Sequence, residues 1–236
     1  MSARSMMSAA LRRYLSLGPL QAGALLVGLG WLVLFNLQAF RYVVEQSRQT
    51  GERIDAMWSV VTAPEAPGGT GGTASASGVT RRRAAEYLHE RGQSLQRVDL
   101  AGAALTAAEL PGADLRMAVL ERARLEQANL RGADLWRAKL GGARLEGAML
   151  RNGRLEGASL ANASLVRADL RGGDLSRADL SGADLSGADL SGADLRGARV
   201  SAAQLGRACA DPAAPPRLDR AVRPPAPWPR PCPGGK

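Results

Sequence analysis

The side chains that could do chemistry in this chain are few. His89 is the one histidine. With no nucleophile or carboxylate at motif spacing beside it, it reads as a solvated or packed imidazole. Cys209 and Cys232 are the two cysteines, and nothing at metal-ligand spacing surrounds them. They read as unrelated thiols, with a disulfide formed in an oxidising compartment as the alternative. Asp114, Asp134, Asp169, Asp174, Asp179, Asp184, Asp189 and Asp194 form a rank of carboxylates at intervals that are multiples of five. They are either an acidic binding surface or, with more weight, turn residues that accept backbone N–H bonds as Asx side chains do. The serines keep the same interval, so their closeness to Asp is no sign of catalysis. No phosphate-binding loop or metal spacing occurs. Neither an enzymatic activity nor a cofactor or metal is expected.

That interval belongs to the elements that carry these residues. From Leu95 to Leu205 every fifth residue is Leu except Val200, 22 Leu in 23 positions. Ala stands two residues earlier in 19 of the 23. A five-residue period fits neither a helix, where successive leucines would scatter around the axis, nor a straight strand, where they would alternate faces. It fits a chain that turns a corner once per repeat, with Ala and Leu two apart on a short extended segment and both pointing inward. The position two after Leu is Gly in 11 of 22 repeats, and Gly eases a corner because it tolerates positive φ.

The run Ala183-Asp184-Leu185-Ser186-Gly187 and its neighbours resemble the A-(D/N)-L-x-x pattern of the pentapeptide-repeat family. The resemblance implies a mainly β fold, a right-handed quadrilateral β-helix with four pentapeptides per coil. Stacked at the inter-strand spacing of ~4.8 Å, the repeats would make a rod on the order of 28 Å long. It also implies inhibition of topoisomerases by mimicry of duplex DNA as one activity to weigh. Residues 95–205 hold 15 basic and 14 acidic side chains, so the rod lacks the strongly negative surface that mimicry of a phosphate lattice needs.

With twenty residues per coil, Arg131, Arg151 and Arg171 would stack on one face, and Arg124 and Arg144 would form a second short ladder. Residues 116–154 carry nine basic and four acidic side chains. These five arginines, with the outward-pointing Trp136, are the candidate interaction surface. Stacked cations repel unless anions intervene; solvated side chains fanning apart are the bland reading, and a phosphate, lipid headgroup or acidic protein the functional one.

Outside the repeats the chain divides by composition. Residues 1–42 contain a stretch, 20–40, interrupted only by Gln21, Asn36 and Gln38. It is long enough to cross a bilayer as a helix, with Arg12, Arg13 and Arg41 flanking it and Tyr14 and Tyr42 at interfacial positions. A single-pass anchor is expected, and the spread of Arg slightly favours an inside N-terminus with the repeats on the non-cytoplasmic side. Residues 43–61 continue as an amphipathic juxtamembrane helix with Ile54, Met57, Trp58 and Val61 on one face. Residues 62–79 are a Pro/Gly/Ser-rich flexible linker. Residues 80–92 form a short helix whose apolar stripe of Ala84, Ala85 and Leu88 suits a lid on the open end of a solenoid. Residues 93–207 are the repeats, and 208–236 a disordered tail holding nine of the thirteen prolines.

The expected function is a membrane-anchored, non-enzymatic scaffold that presents the rod to an unknown protein partner, with a homodimer through the last coil as a further arrangement. The alternatives are a DNA-mimic inhibitor of a topoisomerase or other nucleic-acid enzyme, and anion or nucleic-acid binding through the basic middle coils and tail. The Ala-, Arg-, Gly- and Pro-rich composition points weakly to a bacterial source.

Overall fold

The structure, a computed structural model, describes residues 45, 46, 48–61, 81–220, 222, 231 and 232. The expected membrane span at 20–40 and the linker at 62–79 lie outside them. Among the described residues no helix is long and apolar enough to cross a membrane. Two compact units divide at residues 53 and 54, and the second, Ile54–Lys236, holds the repeats.

Each repeat with an Asp or Asn before its Leu satisfies its five amide groups in the same way, and Leu135–Lys139 shows how. Leu135 N–H donates to Arg154 O of the next coil at 2.7 Å, and Arg137 N–H to Glu156 O at 3.0 Å. Lys139 N–H donates to Ala118 O of the previous coil at 2.9 Å. Ala138 N–H closes a turn onto Leu135 O at 2.9 Å. The fifth amide, that of Trp136, is served by a side chain, Asp134 Oδ1 at 3.1 Å. No backbone donor is left over, as burial of the coil walls requires.

Parallel bridges join residues twenty apart from Asp99↔Val119 to Asp189↔Cys209. Four repeats therefore make one coil. Because the turn takes most of each repeat, only one residue per repeat, the one before Leu, pairs as an isolated bridge. The β character is thus a stack of short bridged walls rather than extended strands. Every repeat leucine from Leu95 to Leu195 is at most 2% exposed, and the alanines two residues earlier at most 3%. At 25 cal/mol per Å², each such Leu contributes about 1.5–3 kcal/mol.

The corner is left-handed at its third residue. All positions two after Leu from Arg97 to Gly197 have φ between 52° and 74°, eleven glycines and ten other residues. With the N–H of the following residue bonded back to Leu O and only the second central residue at positive φ, these are type II turns.

The ends of the stack depart from the repeat. Helix α1, residues 48–61, lies partly in the second unit. Its Val60 and Val61 are buried in the core, and Ile54, Met57 and Trp58 pack against it. The apolar face read from sequence as one side of an amphipathic juxtamembrane helix is covered by the chain's own core. Helix α2, Arg81–Glu90, buries Ala84, Ala85 and Leu88. It meets the first coil through two side chains that replace a missing coil: Glu86 Oε1 accepts Glu109 N–H at 3.0 Å, and Arg82 Nη1 donates to Thr106 O at 3.1 Å.

At the other end the expected limits of 93–207 and 208–236 differ from what is observed. Residues Ala202–Arg207 form helix α3, started by a Ser201/Gln204 capping box, which still buries Leu205. The chain then returns to the wall: Cys209 bridges Asp189, and Arg217 bridges Asp194 after a three-residue slip. Pro216 is buried, and Leu218 and Val222 pack on the core. The first part of the tail is therefore ordered structure over the last coil, the face that the sequence left open either to the tail or to a second copy. Composition misled here because prolines suit a strand edge or turn as well as disorder.

Two outcomes are expected. Leu150→Asp should cost several kcal/mol, as an unpaired buried carboxylate does, while Arg151→Asp at an exposed corner should move the melting temperature little; equal losses in a thermal melt would count against inward leucines. Ala107→Gly, at φ 55°, should stabilise the rod by about 1 kcal/mol, because a Cβ in the left-handed region is strained; denaturant melts of the two proteins measure it.

Candidate interaction surface

The carboxylates before Leu settle into the turn role. The nine aspartates Asp99, Asp114, Asp134, Asp169, Asp174, Asp179, Asp184, Asp189 and Asp194 each accept the N–H two residues on, at 3.0–3.4 Å. Asn129 does the same for Arg131. These are Asx turns built into every corner that carries an Asx residue. Partners hold several of them ionised. The Arg116 guanidinium beside Asp114 holds its carboxyl well below the usual range. Arg171 lowers Asp169, Arg196 lowers Asp194, and the Ser186 hydroxyl lowers Asp184.

The arginine ladders form in register, and Arg124, Arg144 and Arg171 carry their own counter-ions. Arg124 and Arg144 bridge directly on one wall. Glu126 sits between them, 3.6 Å from Arg124 and 3.1 Å from Arg144, and Glu146 is 3.6 Å from Arg144. Burial raises the Glu126 pKa, but its own N–H, the Thr106 hydroxyl and the two guanidiniums outweigh that and lower it. Arg171 is held by Asp169 at 2.6 Å and reached by Asp189 at 3.6 Å. Arg131 and Arg151, on the same corner two coils and one coil below, have no ion pair among the described residues.

Trp136 occupies the next corner along the chain from Arg131. It is half-buried, and the Arg137 guanidinium lies 4.6 Å from its ring centroid, a contact worth about 0.5–1 kcal/mol at an exposed site. The six candidate residues therefore do not form one site. Arg124 and Arg144 lie on a wall opposite the one that leads to Trp136, and the Arg131–Arg171 column runs between them. Most of these pairs are exposed, so each is worth about 0–1 kcal/mol.

The cysteines are not independent: Cys209 and Cys232 form a disulfide that ties the tail to the last coil. Their sulfurs and an Asp189 oxygen lie within 4.8 Å of one another, the one such grouping of metal-ligating side chains among the described residues. With the sulfurs joined, neither offers a thiolate. His89 is half-buried on α2, and its carbonyl accepts Gly92 N–H at 2.8 Å.

Sequence reasoning missed the residues that close the ends. Gln204 Nε2 donates to Ala183 O at 2.9 Å, where a backbone amide of the next coil would otherwise reach, and to Leu180 O at 2.7 Å, which also accepts the Ala183 turn N–H. Asp219 Oδ2 accepts Gly197 N–H at 2.7 Å. Only the three-residue spacing of Ser201 and Gln204, a capping-box signature, was there to be read. Where α3 interrupts the ladder, an open groove of about 560 Å³ forms between Gly182, Arg199, Gln204 and Arg207.

The pentapeptide-repeat profile matches residues 99–137, 138–177 and 174–209, in eight copies. Residues 99–209 belong to the pentapeptide-repeat family. The right-handed sense of the coil follows from that membership. No curated protein matches the chain. Three solved pentapeptide-repeat structures are similar to it. Rfr23 from the cyanobacterium Cyanothece 51142 is 32% identical with a TM-score of 0.28, over 45% of this chain and 64% of that one. A protein of the Arabidopsis thaliana thylakoid lumen is 28% identical with a TM-score of 0.35, over 47% and 73%. HetL, involved in heterocyst differentiation regulation in Nostoc sp. strain PCC 7120, is 33% identical with a TM-score of 0.26, over 48% and 67%. The chain thus spans less than two thirds of Rfr23.

The Asx turns set a pH dependence. The folded-state pKa values of Asp114, Asp169, Asp179, Asp184 and Asp194 are depressed, so the stability these five contribute is present above the unfolded carboxylate value of about 4 and is lost as pH falls through the folded values. The melting temperature of this pentapeptide-repeat rod should be level from pH 7 to 5 and fall steadily below about pH 4. Equal melting temperatures at pH 7 and pH 2 would refute the role given to these carboxylates.

Proposed function

We propose that this pentapeptide-repeat protein is a membrane-tethered, non-enzymatic scaffold whose rod presents a patterned surface to a protein partner outside the cytoplasm. One observation carries the reading. The aspartates before Leu, and the Ser176, Ser186 and Ser191 hydroxyls beside them, are bonded within the rod's own corners, while exposed cations and a half-buried Trp face outward. A chain with one histidine, itself on the lid helix, has little else with which to move protons.

The tether rests on the apolar stretch at 20–40. The side of the membrane rests on two supports: the distribution of Arg around that stretch, and the Cys209–Cys232 disulfide, since such bonds persist in oxidising compartments. Mimicry of duplex DNA is the weaker reading. Residues 168–196 carry six Asp against three Arg, but every one of those aspartates serves a turn amide. Nucleic-acid binding by the middle coils is weakened in the same way, because Arg124, Arg144 and Arg154 already hold carboxylates.

The test is topology in intact cells. The full chain with a C-terminal tag should stay in the membrane pellet after alkaline carbonate washing and leave it when residues 20–40 are deleted. External protease should remove the tag without lysis, and Cys209 and Cys232 should react with a maleimide only after a reductant is added. A tag protected until lysis, or thiols that label at once, would reverse the assigned side.

A further inference from the structure

One wall of the two middle coils departs from the repeat at several positions together. Val119 and Lys139 bridge each other at positions where other repeats place an Asp, so the corner amides after them lose their Asx acceptor. Met117, Arg122 and Arg137 hold the left-handed corner position at φ 59°, 56° and 52°, where Gly is free of strain. Each choice lowers the stability of the stack. Together they supply surface: Met117, Val119 and Trp136 are half-buried, and Arg122, Arg137 and Lys139 are exposed.

The register brings them side by side. Met117 N–H donates to Trp136 O at 2.8 Å, which sets Met117 directly below Arg137, and Arg137 covers the indole. None of the three cations has an ion pair among the described residues. The bordering acids are otherwise engaged, apart from exposed Glu121: Asp99 accepts Ala101 N–H at 3.0 Å, and Glu156 holds Arg177 at 3.3 Å.

We propose that this wall is the rod's docking surface, and that its occupant is a protein segment presenting apolar side chains among carboxylates. Trp, Met and Arg are the types enriched where protein interfaces carry their binding energy, and uncompensated cations around an apolar centre select an acidic partner. The proposal rests on the scaffold reading and adds the surface and the partner's chemistry. A nucleic acid is disfavoured because a single wall with three free cations engages few phosphates.

Gly141 adjoins the wall two residues after Lys139, and a Cβ there would meet only Ala161 O, at 3.8 Å. A photo-crosslinking residue at Gly141 therefore leaves the wall intact. It is placed in the full-length chain in the membranes of the cells that make it, with the same residue at Arg131 and at Arg144 as probes of other faces. The expected result is a discrete protein adduct from position 141 whose cross-linked peptide is acidic with apolar residues. Its yield should fall at least about tenfold in the Arg137→Glu/Lys139→Glu double variant, because like charges then face the partner, with the melting temperature held within a few degrees. Adducts from 141 to lipid or nucleic acid alone, or a yield indifferent to charge reversal, overturn the proposal. Protein adducts from 131 or 144 but not 141 overturn it while leaving the scaffold reading in place; no protein adduct from any of the three overturns both.

Discussion

The left-handed turn two residues after each leucine is the constraint on which the rest of the structure depends. It bends the chain through a corner and returns the next Ala and Leu to the axis. It also aims the remaining amides along the rod, so each coil's donors meet the carbonyls of its neighbours. If the corner is lost, the five-residue period has no inward face, and the leucines have nowhere common to go. The ten residues other than Gly that accept this conformation show how strongly the stack imposes it. A Cβ in that region costs roughly 1–2 kcal/mol alone, less than the burial of one leucine returns.

A stack held by bonds between coils has two edges where those bonds run out, and both are met by side chains rather than by more repeats. Glu86 and Arg82 at one end, and Gln204 and Asp219 at the other, stand in for the donors and acceptors of absent coils. An uncovered edge would template pairing with other chains. The Cys209–Cys232 bond adds a covalent hold at the end where α3 breaks the ladder. Joining residues 23 apart removes roughly 3 kcal/mol of chain entropy from the unfolded state.

The coil was legible in the sequence because its cause is periodic. The Leu and Ala columns, the Gly-rich corners and the Asp before Leu are repeated often enough that each physical role shows as a residue preference. The ends were legible only in part. The stripe of Ala84, Ala85 and Leu88 pointed to a lid, but Leu205 continued the leucine period into what is helix α3. The capping box at Ser201 and Gln204 prevailed there, since Ala202 and Ala203 suit a helix and no Gly offers a corner. The disulfide was not legible because two tail cysteines have no period to place them, and only the return of Cys209 to the wall brings them together. The Arg124–Arg144 ladder was read in the right register but without the acids that lie beside it. Glu126 and Glu146 sit one position after Leu, on a neighbouring corner column, and a reading of one column at a time does not see them.

Where the repeat is relaxed follows from the same one-dimensional logic. Each coil is supported only by its neighbours, so a weak corner is best tolerated in the interior, where both neighbours hold it. The last coils, next to the interrupted ladder, keep the pattern most closely, with Asp-Leu-Ser-Gly corners and aspartates doubly bonded to Ser. The middle coils carry Val119, Lys139, Arg144 and Met149 instead, and these make no Asx turn. A rod that stores its regularity near the fragile end and its irregularity in the middle has room on the middle walls for side chains chosen by something other than folding. Folding alone gives no reason for Met117 at a glycine corner beside Val119 and beneath an Arg-capped Trp136; recognition by a partner does.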